Sequence, residues 1–339
     1  MSYKNGNMKT IELHENGLDI QFRIRENGVV ELADLSSQEV KKAAMEPKED
    51  IYYPAVEIHR SGTGSLNMHA YKNNINQSSV DFVYEKHELK EQDGGKELEI
   101  VMVSPEKLKA VYHMRLFDGV PAVQTWTEIT NEGSEDQGLT YVSSFIYQGI
   151  SRGGDKPYYK KTDIYVPFNS WCCEAQWKKY DAETLNLNGM VVDGFNHQGY
   201  GLNRYCYSGK GTWSTCEYLP MGIAEDRETG ETYIFQVESS GQWLIEYGSA
   251  QGGNLYLTIS GATEQEHGWY KNLKPGECFT TVPAGAAVVK GGLNPAVAAL
   301  TRYRRKVRRA NPDDEKLNVV FNDYMNCLMG DPTTERELS

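Results

Sequence analysis

Between residues 8 and 290 the chain repeats one pattern: apolar side chains at every second position, in short runs closed by Gly, Asn or Asp. Successive side chains of a strand point to opposite faces, so this alternation marks strands that bury one face and wet the other. Ile20, Phe22 and Ile24 alternate with Gln21 and Arg23 before "ENG" turns the chain toward "VVELADL". Tyr112, Met114 and Leu116 alternate before a "DG" turn, and "VPAVQTWTEITNEG" returns. Tyr233, Phe235 and Val237 lead through "SSG" to "QWLIEYG", and Leu255, Leu257 and Ile259 share one face of "NLYLTIS". Strands linked by such turns predict an antiparallel β protein and exclude a βαβ fold. A chain of 339 residues is long for one compact core, so a very large two-sheet sandwich, or two domains, is expected. The segment "SSQEVKKAAMEP" reads either as a short helical turn or as a polar loop.

The pattern changes near residue 293. In "LNPAVAALTRYRRKVRRANP" a proline stands at a helix start, Val297, Leu300 and Tyr303 fall on one face, and a second proline follows the end. Its basic run, Arg302, Arg304, Arg305, Lys306, Arg308 and Arg309, reads as a solvated or salt-bridging helix face. A formal charge of −12 argues against a nucleic acid or an anionic membrane as partner. The polar start "MSYKNGNMKT" has no signal-peptide core, and no apolar run suits a spanning helix, so a cytoplasmic location is expected. The six cysteines then read as reduced thiols; Cys172 and Cys173 are adjacent, and no CxxC spacing occurs. The seven histidines show no HxH or HExxH spacing, so neither a metal site nor a cofactor is expected.

Beyond the helix, Leu317 to Phe321 read as a short buried strand, followed by Asn322, Asp323 and Tyr324 and by "GDPTTERE", which resembles a helix start. A strand, polar residues at its C-terminal end and then a helix is how one unit of a (β/α)8 barrel begins, and barrel sites sit at strand C-termini. One unit cannot close a barrel, so on pattern the chain looks cut. The expected organisation is a sandwich over 1–290, a linker helix over 291–312 and the beginning of a barrel over 313–339.

Several phrases, in order, resemble glycoside hydrolase family 36, the bacterial α-galactosidases. These are "GVPAVQTWTEITNEG", "NSWCCEAQWK", "GKGTWSTCEYLPMGIAEDRETGETYIFQVESSGQWLIEYG", "AALTRYRR" and "VVFNDYMNCLMGDPTTE". The resemblance covers the chain from roughly residue 50 onward. It implies an N-terminal β-supersandwich, a linking helix and the first strand of a truncated catalytic barrel. It also implies a retaining hydrolase of terminal, non-reducing α-galactosyl residues, acting on galactosides such as melibiose or raffinose-family oligosaccharides and assembling as a homo-oligomer. Retention needs two carboxyl groups about 5–5.5 Å apart. The family's two catalytic aspartates lie later in the barrel, and Asp323 and Asp331 match neither, so no catalytic residue is assigned.

Tyr324 aligns with the family's first-strand aromatic, a Trp that contacts galactose; here the residue is Tyr, and packing at a domain interface is the alternative. Asn322 and Asp323 suit hydrogen bonds to sugar hydroxyls, although Asp323 also suits a turn cap. Trp171 and Trp213 are candidates for an aromatic loop sent toward an active site of the same or a neighbouring subunit, although a core or hairpin tryptophan is the commoner reading of each. A second function class stays open: a stand-alone carbohydrate-binding or mutarotase-like β-sandwich. A mutarotase needs a positioned His and Glu, and the sequence pairs none.

Overall fold

The structure is a computed structural model, and it describes residues 8–48, 51–64, 72–188, 203–250, 253–316 and 318–320. The chain divides into two units, Met1–Lys306 and Val307–Ser339.

In chain order the first unit runs β1 (Lys9–Glu15), β2 (Leu18–Ile24), β3 (Val30–Ser37), β4 (Ile58–Arg60) and the single turn α1 (Gln77–Val80). The meander β5 (Val83–Gln92), β6 (Gly95–Val103), β7 (Leu108–Phe117), β8 (Val120–Asn131) and β9 (Gln137–Ile150) follows. Next come β10 (Thr162–Phe168), β11 (Gln176–Asp181), β12 (Arg204–Gly209), β13 (Met221–Asp226), β14 (Glu231–Val237), β15 (Trp243–Ala250) and β16 (Asn254–Ser260). The turn α2 (Glu264–His267), then β17 (Lys271–Leu273), β18 (Cys278–Thr280), β19 (Ala284–Lys290) and α3 (Leu293–Val307) complete the described series of this unit. The second unit contributes α4 (Pro312–Lys316).

The pairings recorded are antiparallel, and they build the expected sandwich. A ten-stranded sheet runs β11-β10-β13-β14-β19-β8-β7-β6-β5, with β18 beside β8. A six-stranded sheet runs β12-β15-β16-β9-β17, with β4 beside β9, and a three-stranded sheet holds β1-β2-β3. The "ENG" and "DG" turns make the hairpins β2–β3 and β7–β8. The "SSG" segment does something else: β14 and β15 lie in different sheets, so it carries the chain from one layer to the other.

Large aromatics fill the space between the layers. Phe235 meets Tyr247 with ring centroids 6.0 Å apart, and Tyr147 meets Tyr233 at the same separation. Tyr207 donates across the layers to the Met221 carbonyl at 2.9 Å, and Thr125 donates to the Ser144 carbonyl at 2.7 Å. Strands β3, β14 and β15 are buried along their whole length. Their outer faces are therefore covered too, which period-two alternation does not reveal.

One open reading is decided and one expectation changes. "SSQEVKKAAMEP" ends β3 with its two serines and continues as a loop, in which Lys41 and Glu46 stay out while Val40 and Met45 turn in and Lys42 buries its ammonium on Glu231. Of the strand expected over 317–321, the described residues 318–320 form none, and Val319 is 98% exposed. A buried parallel strand needs paired neighbours and covered faces, and no pairing is recorded for these residues.

Helix α3 forms as expected but turns a different face inward. Ala296, Ala299, Leu300 and Tyr303 are buried, at i, i+3, i+4 and i+7, while Val297 is 45% exposed. The small alanines allow a close approach to the sheet. Tyr303 lies against Gly285 on β19, where an added Cβ would come within 2.5 Å of the ring. The same ring meets Phe117 edge-on at 5.3 Å, and its hydroxyl donates to the Glu238 carboxylate. Arg304 Nε donates to Gln236 Oε1 at 2.6 Å, which draws one member of the basic run onto the sandwich. In the second unit, Arg308 approaches Asp314 at 3.6 Å.

This contact sets a prediction. Tyr303→Ala should destabilise the protein by about 3–5 kcal/mol, since it leaves a ring-sized cavity. Gly285→Ala should cost about 1–3 kcal/mol by overpacking, and Tyr303→Phe about 1–2 kcal/mol through the lost bond to a carboxylate. Urea denaturation of the three variants measures this order; a Gly285→Ala protein as stable as the parent would refute the packing.

Candidate functional site

Two loops meet at one end of the ten-stranded sheet, and they carry both tryptophans singled out from sequence. Strands β10 and β11 pair down to Phe168↔Gln176, leaving 169–175 as the hairpin tip. Ser170 and Cys173 exchange backbone hydrogen bonds of 3.2 and 2.9 Å, so Trp171 and Cys172 occupy the centre of a tight turn. Cys172 takes a left-handed backbone, φ 59°, and its N–H donates to Glu174 Oε1 at 3.0 Å. The turn therefore projects Trp171 outward, and its side chain is 85% exposed.

The second loop runs from the end of β12 to the start of β13. Its Tyr218 bridges to Phe168, with rings 5.2 Å apart, and Leu219 N donates to the Pro167 carbonyl at 3.0 Å. The fully buried Trp243 donates its indole N–H to the Ser214 carbonyl at 2.7 Å, fixing the loop from below. Trp213, one residue earlier, is 69% exposed. Asn169 ties the loops together: its backbone N–H donates to the Glu217 carbonyl at 2.8 Å, its amide donates to the Thr215 carbonyl, and its Oδ1 accepts from Ala175 N.

Between the loops lies an open cleft of about 560 Å³, lined by Phe168, Asn169, Ser170, Cys173, Gln176, Lys178, Cys216, Glu217 and Tyr218. Trp171 and Trp213 stand on the same two loops, outside that lining. Apolar rings beside amide, hydroxyl, carboxylate and ammonium groups suit a polar ligand with one apolar face. Burial, followed by the nearby Glu217, raises the Tyr218 phenol above its usual range, so it stays a hydrogen-bonding hydroxyl at neutral pH.

The structure rules out a core position for both tryptophans. Asn322, Asp323 and Tyr324 lie outside the described residues. Sequence reasoning missed Asn169, which sits in the quoted "NSWCCEAQWK"; its value comes from a loop more than forty residues away. It also found no His–Glu pair. One lies on the outer face of the larger sheet, where His113 Nδ1 is 2.9 Å from Glu97 Oε1.

Comparison with models of known protein families finds no match, and comparison with curated protein sequences finds none either. Solved structures do match. The α-galactosidase AgaB from Geobacillus stearothermophilus, of glycoside hydrolase family 36, superposes with a TM-score of 0.68 at 15% identity, over 96% of this chain and 46% of that one. A variant of AgaA from the same organism, in complex with stachyose, gives 0.68 at 14% identity, over 91% and 44%. An α-galactosidase from Lactobacillus brevis gives 0.64 at 14% identity, over 88% and 42%. This chain has their fold. It spans less than half the length of these structures, and at such identity the likeness speaks to fold alone. No helix among the described residues is long and apolar enough to cross a membrane.

The cysteines offer a check on the cleft. Cys172, Cys173, Cys216 and Cys278 are exposed, whereas burial pushes the Cys206 thiol up to about 11. A thiol-reactive disulfide at pH 8 should label those four in the native protein well before the half-buried Cys206. Peptide mapping that finds Cys206 labelled as fast as Cys172 would contradict the packing around β12.

Proposed function

We propose that this chain is the sandwich region of an α-galactosidase-like retaining glycoside hydrolase that releases terminal, non-reducing α-D-galactosyl residues. The observation that carries this reading is the fold likeness to α-galactosidases, which extends over 88–96% of the chain in the three structures compared above, two of them of family 36. In this reading the chain lacks both catalytic aspartates. It supports a barrel, shapes the entrance for galactosides such as melibiose and raffinose, and helps a cytoplasmic homo-oligomer assemble. The domain limits are those read from sequence, 1–290, 291–312 and 313–339, with Asn322, Asp323 and Tyr324 facing the sugar. The exposed Trp171 and Trp213 support the idea of loops that reach a sugar held elsewhere, in the same or a neighbouring subunit.

The cleft favours a second reading, a stand-alone carbohydrate-binding sandwich, because exposed tryptophans beside a polar hollow also suit direct sugar binding. Its mutarotase form has less support: the Nε2 atoms of His59 and His113, the two histidines nearest to buried glutamates, are themselves buried.

Two measurements separate these readings. Residues 1–339 should release no nitrophenol from a nitrophenyl α-galactoside, and turnover abolished by no more than unfolding would sink the first reading. Tryptophan fluorescence during galactose titration should stay flat. A saturable, galactose-selective change, weakened at least tenfold by Trp171→Ala or Trp213→Ala, would instead establish the binding module.

A further inference from the structure

The outer face of the ten-stranded sheet brings two glutamates of one strand against a histidine of the next. Glu97 and Glu99 are two apart on β6 and so share a face. The hairpin register sets Glu99 directly opposite His113 on β7. His113 Nδ1 is 2.9 Å from Glu97 Oε1 and 3.8 Å from Glu99 Oε1, and one ligand atom from each of the three residues falls within 4.8 Å of the others. The His113 and Glu97 side chains are 9% and 10% exposed and Glu99 is 22% exposed, so two of the three groups are covered although the cluster lies on the outer face.

Three further observations bear on what the cluster holds. The cross-strand partner of Glu97 is Arg115, yet its guanidinium donates to the Asp93 carbonyl at 3.4 Å and lies over the Phe117 ring. Lys90 reaches Glu99 Oε1 at 2.6 Å, from a side chain 38% exposed and free to swing toward Glu88. The imidazole is clamped parallel to Trp126, with ring centroids 4.6 Å apart, and its Nε2 is buried with no hydrogen-bond partner, 4.0 Å from Glu128 Oε1. A buried ring nitrogen left without a partner is costly, and here it points at a carboxylate that a small shift would bring into contact.

We propose that Glu97, Glu99 and His113 form a binding site for one divalent transition-metal ion of the zinc type. His113 Nδ1, Glu97 Oε1 and Glu99 Oε1 supply three ligands. Bonds to zinc of about 2.0–2.2 Å place neighbouring ligand atoms roughly 3.3 Å apart, between the 2.9 and 3.8 Å found here. The supporting contacts fit as well. Gln92 Nε2 holds the other oxygen of Glu97 at 2.6 Å, and Glu128 stands ready to accept the Nε2 proton, the arrangement that orients metal-bound histidines. One imidazole with two carboxylates suits zinc better than calcium or magnesium, which take more oxygen ligands or keep their waters. A groove of about 450 Å³, lined also by Lys86, Lys109 and Glu88, reaches the cluster at Glu99, the one of the three ligands in its wall. Binding moves the Nδ1 proton from the His113–Glu97 contact to solvent, or to Nε2 facing Glu128, and releases Lys90 from Glu99.

Calorimetric titration of chelator-treated 1–339 with Zn²⁺, and with Mg²⁺ as control, tests this. One equivalent of Zn²⁺ should bind and raise the melting temperature, while Mg²⁺ should not. His113→Gln and Glu99→Gln should each weaken binding by at least about tenfold and Glu128→Gln by a smaller factor. Lys90→Ala should tighten it several-fold by removing a competing cation. Co²⁺ in place of Zn²⁺ should show no thiolate charge-transfer band. Absence of saturable binding overturns the proposal. So does a thiolate band, which places the ion on the exposed cysteines, or binding unchanged in folded His113→Gln and Glu99→Gln proteins.

Discussion

A carboxylate shut away from water is tolerated only when donors surround it, and four such groups hold the layers of this fold in register. Glu31, Glu57, Glu231 and Glu246 are each at most 1% exposed. Glu31 takes two bonds from Arg23, one from Arg25 and the Tyr53 backbone N–H. Glu231 takes Lys42, the Ser37 N–H and the Tyr233 hydroxyl, joining the end of the three-stranded sheet to β14. Glu246 takes the backbone and amide of Asn73 together with Arg204 and the Tyr256 hydroxyl. Glu57 takes the Ile75 and Asn76 N–H groups and the Ser79 hydroxyl. Removing Lys42 would leave Glu231 buried without its cation, at a cost of about 3–5 kcal/mol. These hubs decide where the three-stranded sheet and the segment 72–80 sit.

The same principle explains why the candidate site lies where it does. With so many strands buried on both faces, little sheet surface is open to a ligand, and exposed chemistry gathers on loops and at sheet edges. The tips around Trp171 and Trp213 project because short backbone bonds hold them, and because Trp243 and Asn169 anchor them from the side that is buried. On the larger sheet, the stretch bearing Glu97, Glu99, His113 and Glu128 keeps its charges where they face one another. Loop-borne aromatics and a strand-borne cluster thus give the molecule two chemically different regions.

Much of the fold is legible in the sequence, because alternation and turn residues are local signals. Ile20, Phe22 and Ile24, and the set from Tyr112 to Leu116, are inward-facing as their spacing requires. The boundary at Pro295 is likewise local, since proline fits the first turn of a helix and little beyond it. Legibility fails where partners are distant. Val297 looks as apolar as Leu300, but the contact of Tyr303 with Gly285 decides which face of α3 turns inward. The candidate site shows the same division: two exposed tryptophans could be named from their phrases, while Asn169 and the cleft depend on a loop that only folding brings near.

The sequence by itself determined an antiparallel sandwich of alternating strands, its turn positions and the helix that follows it, since each rests on residues within a few positions of one another. Only the tertiary structure decided that "SSG" changes sheets, that whole strands are covered on both faces, and that a glutamate pair on one strand meets a histidine on the next. Those outcomes depend on strand register and layer packing. A one-residue slip in register reverses which side chains meet, and no local pattern fixes it.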